Sequence, residues 1–597
     1  MKALRYVLSG KPGREGVLPL AAWELPELLE AAGAGEEARS AFEAGPVMLQ
    51  TGGWQSWTAG WELAPGETLP ARVRLIPALR KMSAPPWDCG RNGNAPAASG
   101  KGEAAGSFIM YLRAGDWYLA LAEEPDEALR GPLCFFISPD RRHIRAGLYC
   151  PGLEGGGAAG IRIFLVRGYF ALKDALGDLY RQGDRFAALA WLGKRPGGYE
   201  SWYNHYTHIN EDLLLRDLDG LGRTGNLIKL RYLDRGEPAV FQIDDGWEKA
   251  VGEWEADPLR FPRGLKPLAE RIEEAGLIPG LWLAPFLVTR KCGIFRNRPH
   301  WLLREQDGSP VKAGWNPHWD GTFYCLDLSR GDVLEYLGAL MEEVTGRWGF
   351  RYIKLDFLYT AFFYGRFASG GTPADHYHRA LAVLESRSKT PSGLPAAFLG
   401  CGLPLGPSFR HFPLSRIGTD TRETWDWPLA RFLRHTGRPS ALLSLKDTIG
   451  RSFLNRTLFI NDPDVIFLRS RRCALTGTEK ECIALVNYVL AGQIMFSDNP
   501  LFLDGEDLAL TGRISALYDR LEGDEYGALP LEGRGGKPSG AYRLISRSGK
   551  TGGIINLGDR PWTPPEPLPA GGAWLLDRRI PGSGSFAPRS VSIMVWD

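Results

Sequence analysis

The apolar, β-prone run Tyr352-Ile353-Lys354-Leu355 ends in Asp356. A carboxylate delivered by a buried strand, beside a cation that keeps it ionised, suits a nucleophile or a base. Other strand-like runs end the same way. Val240 to Ile243 leads into Asp244-Asp245-Gly246, and a run from Ile278 carries Trp282. Cys401 lies on another, Arg416 and Asp420 on a seventh, and Trp202 with Tyr203 on the first. The set is acidic and aromatic, and none of the nine His ends a strand beside a Ser, so a Ser-His-Asp triad is not in view. No Gly-rich phosphate loop follows a strand. Two carboxylates facing each other from different strands are enough for glycoside cleavage, one ionised and one protonated. Lys354 would hold Asp356 ionised. Asp420 would keep its proton in a less polar setting or beside a like charge.

Each of these residues has a plainer reading. Asp420-Thr421-Arg422-Glu423 also reads as a helix N-cap, and Asp426 and Glu423 are local alternatives for the acid. Asp356 with Lys354, or Arg416 with a carboxylate, could be a structural ion pair. Cys401 could be a small buried hydrophobe instead of a pocket wall. The doublet Asp244-Asp245 could accept hydrogen bonds from sugar hydroxyls once Gly246 turns the chain; a metal pair or a helix cap is the alternative.

The elements that must position these residues are legible in outline. Residues 1–190 are rich in Gly, Trp and short alternating runs, and predict an antiparallel β-sandwich. Within them, 108–112 and 117–121 flank a hairpin turn at Arg113-Ala114-Gly115-Asp116, and 161–166 is a further strand. The stretch from Gly90 to Gly106 reads as a long loop. Over 191–504 helical periods alternate with strands, as where Leu265, Leu268, Ile272 and Ala275 share one face and Gly276 ends the helix. Asp332 and Glu335 suggest a capping box for another helix. Candidate strands at 199–206, 239–246, 278–286, 322–327, 352–358, 396–402, 414–420 and 464–468 predict a (β/α)8 barrel, with the site at the C-terminal ends of its strands. Residues 505–597 return to short strands with Gly/Pro turns and predict a small antiparallel β-domain.

Bulk composition narrows the partners. With 71 basic and 69 acidic side chains there is no bias towards nucleic acid or an anionic membrane. Twenty Trp supply flat faces for sugar rings as well as core packing. Eight scattered Cys without a C-x-x-C pair point to reduced thiols and a cytoplasmic chain. Met1 to Tyr6 does not read as the start of a signal peptide, and no run is long enough to span a bilayer.

Several spaced motifs, in order, resemble glycoside hydrolase family 36. They are Gln242-Ile243-Asp244-Asp245-Gly246-Trp247, Gly280-Leu281-Trp282-Leu283-Ala284-Pro285, Tyr352 to Phe357 and Arg416-Ile417-Gly418-Thr419-Asp420-Thr421. Asn461-Asp462-Pro463-Asp464 resembles the matching run of the sister family 27, and Gly53-Trp54-Gln55-Ser56-Trp57 the β-domain segment that reaches over the pocket. The resemblance implies a retaining, exo-acting α-galactosidase with Asp356 as nucleophile and Asp420 as general acid/base. Asp244 and Asp245 would take the galactose 4- and 6-hydroxyls. Lys354 and Arg416 would hold the 2- and 3-hydroxyl side and the nucleophile. Trp202, Tyr203, Trp282 and Cys401 would form walls, with Trp57 as an aromatic lid unless it only packs a domain interface. No cofactor or metal is implied. The partner is an oligosaccharide, and the chain is a monomer or small homo-oligomer. The run Cys401-Gly402-Leu403-Pro404-Leu405-Gly406-Pro407 departs from the Gly-rich loop of many bacterial members. A galactosyl transferase, a hydrolase of another α-glycoside such as an α-N-acetylgalactosaminide, or a galactoside-binding protein on a dead barrel are the alternatives.

Overall fold

A computed structural model describes residues 2–8, 12, 16–67, 82, 84–89, 102–125, 131–153, 157–181, 183–319, 321–391, 393, 395–433, 435, 437–532, 538–565 and 571–596. The first part is an antiparallel sandwich. One sheet joins Lys2–Leu8, Gly157–Arg167, Trp117–Glu123, Ile109–Ala114 and Met48–Gln50; the other joins Val17–Glu24, His143–Tyr149, Leu133–Ile137 and Ala104–Ser107. Alternate residues face inward from both sheets: Met110 and Leu112, Leu119 and Leu121, Ile161 and Ile163, against Leu133, Phe135 and Ile137. The hairpin turns where expected, with Ala114 opposite Trp117 and Gly115 at φ 56°. Of the long loop expected from Gly90 to Gly106, residues 90–101 lie outside the described residues, and Ala104–Ser107 is a strand.

The middle of the chain forms a parallel sheet curled into a barrel. Its strands are β1 (Gly197–Glu200), β2 (Val240–Ile243), β3 (Ile278–Leu283), β4 (Tyr352–Leu355), β5 (Ala397–Gly400) and β6 (Leu414–Arg416). Strand β7 is split into Ile460–Asp462, which pairs with β6, and Val465–Ile466, which pairs with β8 (Ile494–Phe496). Strand β8 returns to β1. The sheet's two edges are therefore halves of one segment, and the ring closes through Pro463 and Asp464. These strands are buried along their whole length, as parallel strands covered by helices must be.

The strand roster differs from the expected one. Residues 322–327 do not enter the barrel. Gly321–Cys325 pairs antiparallel with Leu287–Thr289 and Lys312–Asn316 in a separate sheet between β3 and β4, and β3 pairs directly with β4. Residues 199–206 are not one strand either, since β1 stops at Glu200 and Trp202–His205 is a helical turn. The helix Gly331–Met341 has no side-chain cap; Asp332 instead receives Arg330 and the Trp301 indole. The segment after 504 opens with the helix Gly505–Leu521, which packs on the buried helix Gly477–Leu490. The antiparallel sheet of Tyr526–Glu532, Pro538–Ser546, Thr551–Asn556, Ala573–Leu576 and Ser590–Val595 follows. Among the described residues no helix is long and apolar enough to cross a membrane.

Candidate active site

Asp356 is the residue immediately after β4, and its amide donates to the Leu283 carbonyl at 2.8 Å. Its Oδ2 accepts the Trp282 indole N–H at 3.0 Å and its Oδ1 accepts the Phe357 amide at 2.7 Å. Phe357 sits at φ 57°, a left-handed conformation that a bulky residue adopts only when its surroundings hold it there. The neighbouring cation does not bond Asp356 as expected. Successive strand residues point apart but alternate ones share a face. Lys354 thus shares the barrel interior with Asp356, yet places its Nζ 2.9 Å from Asp244 and 3.6 Å from Glu200. Burial alone would push the Lys354 ammonium down; Asp244 and Glu200 outweigh it and hold the group well above its usual range. Burial pushes the Glu200 carboxyl up.

Asp420 lies four residues beyond Arg416, the last residue of β6. One guanidinium nitrogen, Arg416 Nη2, donates to Asp420 Oδ1 at 3.0 Å and to Asp464 Oδ2 at 2.9 Å. Asp464 sits at φ 77° in the break of β7, where it also accepts the Tyr203 hydroxyl at 2.6 Å and the Thr421 amide at 2.8 Å. The Arg416 and Asp464 side chains are almost fully buried, whereas 40% of the Asp420 side chain is exposed. Asp420 thus occupies a recess, not a sealed core. Enclosure by the surrounding protein raises its carboxyl to about 6; Arg416 opposes this, while Asp464 and Asp356 add to it. The two candidate catalytic carboxyls therefore feel each other's charge. The local alternatives are engaged elsewhere. Asp426 pairs with Arg438 at 2.8 and 2.9 Å, and Glu423 accepts from Arg469 at 2.9 Å. The next helix begins only at Pro428.

The doublet after β2 splits as the glycine allows. Gly246 has φ 114°, and a Cβ there would stand 2.7 Å from the Thr207 carbonyl oxygen. Asp244 accepts Lys354 and Gln242 Nε2 on one oxygen and the Asp245 amide on the other. Asp245 Oδ2 accepts the Trp319 indole at 2.8 Å, while its Oδ1 is buried without an N–H donor and the Glu248 carboxyl stands beside the group. Burial and the nearby Glu248 push the Asp245 carboxyl well up. A buried acceptor left open is a place for a hydroxyl donor. Among the described residues no group of three or more His, Cys, Asp or Glu side chains is placed to hold a metal ion.

The remaining candidates sit around these carboxylates. Cys401 follows β5 directly, is buried, and has its Sγ 3.9 Å from Arg416 Nη1. Trp282 is buried against Trp319, at 6.1 Å between ring centres. Trp202 and Tyr203 lie on the turn after β1, not on the strand. Trp57 packs edge-on against Phe357 at 4.9 Å and near Tyr359 at 5.8 Å, which brings the first domain to the residue beside Asp356. Its segment is clasped from behind. The Ser56 amide donates to Leu403 O, and the Leu405 amide to Trp54 O. Arg451, fully buried, donates to the carbonyls of Gly52, Ser56, Thr58 and, at 2.6 Å, Ile417.

Three residues escaped the sequence reading. Glu200 closes β1 beside Lys354, and a strand drawn as 199–206 hid its end position. Trp319 reaches Asp245 from the inserted sheet, which no barrel pattern announces. Asp464 stood in a noted motif, but only the break in β7 shows it bridging Tyr203 and Arg416.

Residues 191–370 match the melibiase family model. The α-galactosidase TtGalA of Thermus thermophilus, solved with p-nitrophenyl α-D-galactopyranoside, is 30% identical, with a TM-score of 0.63 over 84% of this chain and 89% of its own. The family 36 α-galactosidase AgaA of Geobacillus stearothermophilus shares the fold at 14% identity, with a TM-score of 0.54 over 91% of this chain and 71% of its own. Alignments with curated sequences are shorter. That with AgaA is 26% identical over 204 residues, a quarter of AgaA's length, and that with α-galactosidase 2 of Pediococcus pentosaceus is 29% identical over 121 residues, 16% of its length. The chain belongs to the glycoside hydrolase family 36 α-galactosidases, the melibiase family.

Proposed function

We propose that this chain is a retaining exo-α-galactosidase that removes terminal α-D-galactosyl units from oligosaccharides by double displacement. The observation that carries the reading is the contrast between two carboxyls at one recess. Asp356 is fixed by two N–H donors, whereas Asp420 is raised to about 6 with Asp356 contributing. In the first step Asp356 attacks the anomeric carbon and Asp420 gives its proton to the departing oxygen. The glycosyl ester at Asp356 is then opened by water, whose proton returns to Asp420. For this chemistry the two carboxyls need a separation of roughly 5 to 5.5 Å. Asp244 and the open Oδ1 of Asp245 would take the 4- and 6-hydroxyls, and Lys354 and Arg416 the opposite side of the ring. Trp57, Trp202, Tyr203, Trp282 and Cys401 would wall the pocket.

The relatives indicate the substrate class, since TtGalA has been solved with stachyose and AgaA variants with raffinose and with stachyose. Eight scattered cysteines without a C-x-x-C pair support a cytoplasmic setting. A panel of nitrophenyl α- and β-glycosides, with NMR of the first-formed sugar, tests the reading. Selective release of galactose as the α-anomer is expected. Preference for another glycoside, or first release of the β-anomer, would overturn it.

A further inference from the structure

We propose that the cavity walled by Trp61, Lys446 and Tyr542 is a second binding site, separate from the recess of Asp356 and Asp420, for one neutral monosaccharide; this holds whichever glycoside that recess takes. The cavity lies where three parts of the chain meet. Trp61 comes from the first domain, Lys446 from the helix Ala441–Gly450 and Tyr542 from the C-terminal sheet. It encloses about 230 Å³, the scale of one small molecule, whereas drug-sized sites run to roughly 300–1,000 Å³. Its walls are preformed. The Gly60 amide, next to Trp61, donates at 2.8 Å to Asp447, next to Lys446, and Gln50 Nε2 donates to the carbonyls of both Gly60 and Gly450. On the third side the edge strand Tyr526–Glu532 is bulged between Pro530 and Glu532.

Two donors on these walls lack acceptors. The Lys446 ammonium stands over the Trp61 ring at 4.3 Å, and among the described residues it makes no hydrogen bond or ion pair. Burial pushes it down, and nearby Glu67 and Asp447 do not restore it. Tyr542 is 8% exposed, and among the described residues its hydroxyl has no hydrogen-bond partner. The other tyrosines of the cavity are engaged, Tyr111 with Glu62 at 2.9 Å and Tyr169 with Ser452 at 2.6 Å. Buried polar groups are normally paired, so Lys446 and Tyr542 call for a ligand that brings acceptors. The carboxylates around them set its charge. Glu62, Glu67 and Glu532 line the cavity against Arg113 and Lys446, and Arg113 is committed to Glu62 at 2.7 and 2.9 Å. That negative balance disfavours an anion. A sugar hydroxyl can accept from Lys446 or Tyr542 and donate to Glu67, while aromatic and apolar walls suit the C–H face of the ring.

Ligand-observed NMR on the full chain tests this, with the catalytic recess first saturated by 1-deoxygalactonojirimycin. D-Galactose at millimolar concentration should still bind, and D-galacturonate, which carries a carboxylate at carbon 6, should not. Lys446→Met should weaken the remaining galactose binding by roughly tenfold, the worth of a hydrogen bond to a charged group. Tyr542→Phe removes only a hydroxyl, guards against misfolding, and should weaken the same binding severalfold. In both variants kcat/KM for a nitrophenyl α-galactoside should stay within about twofold of wild type, because separate sites act independently. Galactose displaced completely by the inhibitor, remaining binding unchanged in both variants, or galacturonate bound as tightly as galactose would overturn the proposal. An inhibitor that displaces no galactose at all speaks against the α-galactosidase reading instead, and the two variants still report on the cavity.

Discussion

Asp356 and Asp420 carry the same functional group, and the proposed mechanism gives them opposite tasks. Two N–H donors fix the Asp356 carboxylate in place; enclosure and two further carboxyls favour the neutral form of Asp420. Asp356→Asn should abolish turnover of any α-galactoside, measured by galactose release, while leaving the thermal midpoint close to wild type. Asp420→Ala should cost far more on raffinose than on a nitrophenyl galactoside, because a good leaving group needs little protonation. The general acid must be protonated to act, so kcat/KM should decline as pH rises through about 6. Asp464 raises Asp420, and Arg416 lowers it. Asp464→Asn removes the first influence and frees Arg416 to lean on Asp420, so the alkaline limb should move to lower pH. A limb that stays put would show that another group sets it.

At the scale of elements, the devices are turns and clasps. Gly246→Ala forces a Cβ against the Thr207 backbone and should raise KM for galactosides by displacing Asp244 and Asp245, with a lowered thermal midpoint as the structural check. Arg451 links the segment carrying Trp57 to the loop carrying Asp420 through buried carbonyls. Arg451→Met strands those acceptors and should cost about 3 kcal/mol or more of stability. Faster amide exchange over residues 52–60 would show where the loss falls. These elements were legible to different degrees. The runs at 278–283 and 352–355 are continuous apolar strands that end in their chemistry, and the spacing of Leu265, Leu268 and Ile272 announced its helix. Residues 322–327 resemble a barrel strand in sequence because a buried antiparallel strand shows the same short apolar run. Strand β8, with three residues, is too short to stand out from the helix before it. The split of β7 depends on a left-handed Asp464, which no side-chain pattern signals.

On the scale of the whole molecule, the barrel is held from both sides. The first domain supplies the strap with Trp57. The C-terminal sheet covers the helix Gly477–Leu490, buried on all its faces from Glu479 to Leu490, and reaches it through Arg578 to Glu481 and Arg589 to Glu479. The carboxylates on that helix are nearly inaccessible, so these pairs sit at a seam and not on an open surface. We propose unit boundaries near 190 and 504, with the helix Gly505–Leu521 thickening the second seam. A chain ending at 522 should expose the apolar faces of Gly477–Leu490, and light scattering should report aggregation at concentrations where the full chain stays dispersed. A soluble, fully active truncated chain would show that the sheet is dispensable. The central claim is that Asp356 is the atom-bonding carboxylate of a retaining enzyme. Mass spectrometry of the peptides after treatment with 5-fluoro-α-D-galactosyl fluoride tests it most directly: the account predicts a fluorogalactosyl adduct on Asp356, and an adduct on Asp420 or any other side chain would contradict it.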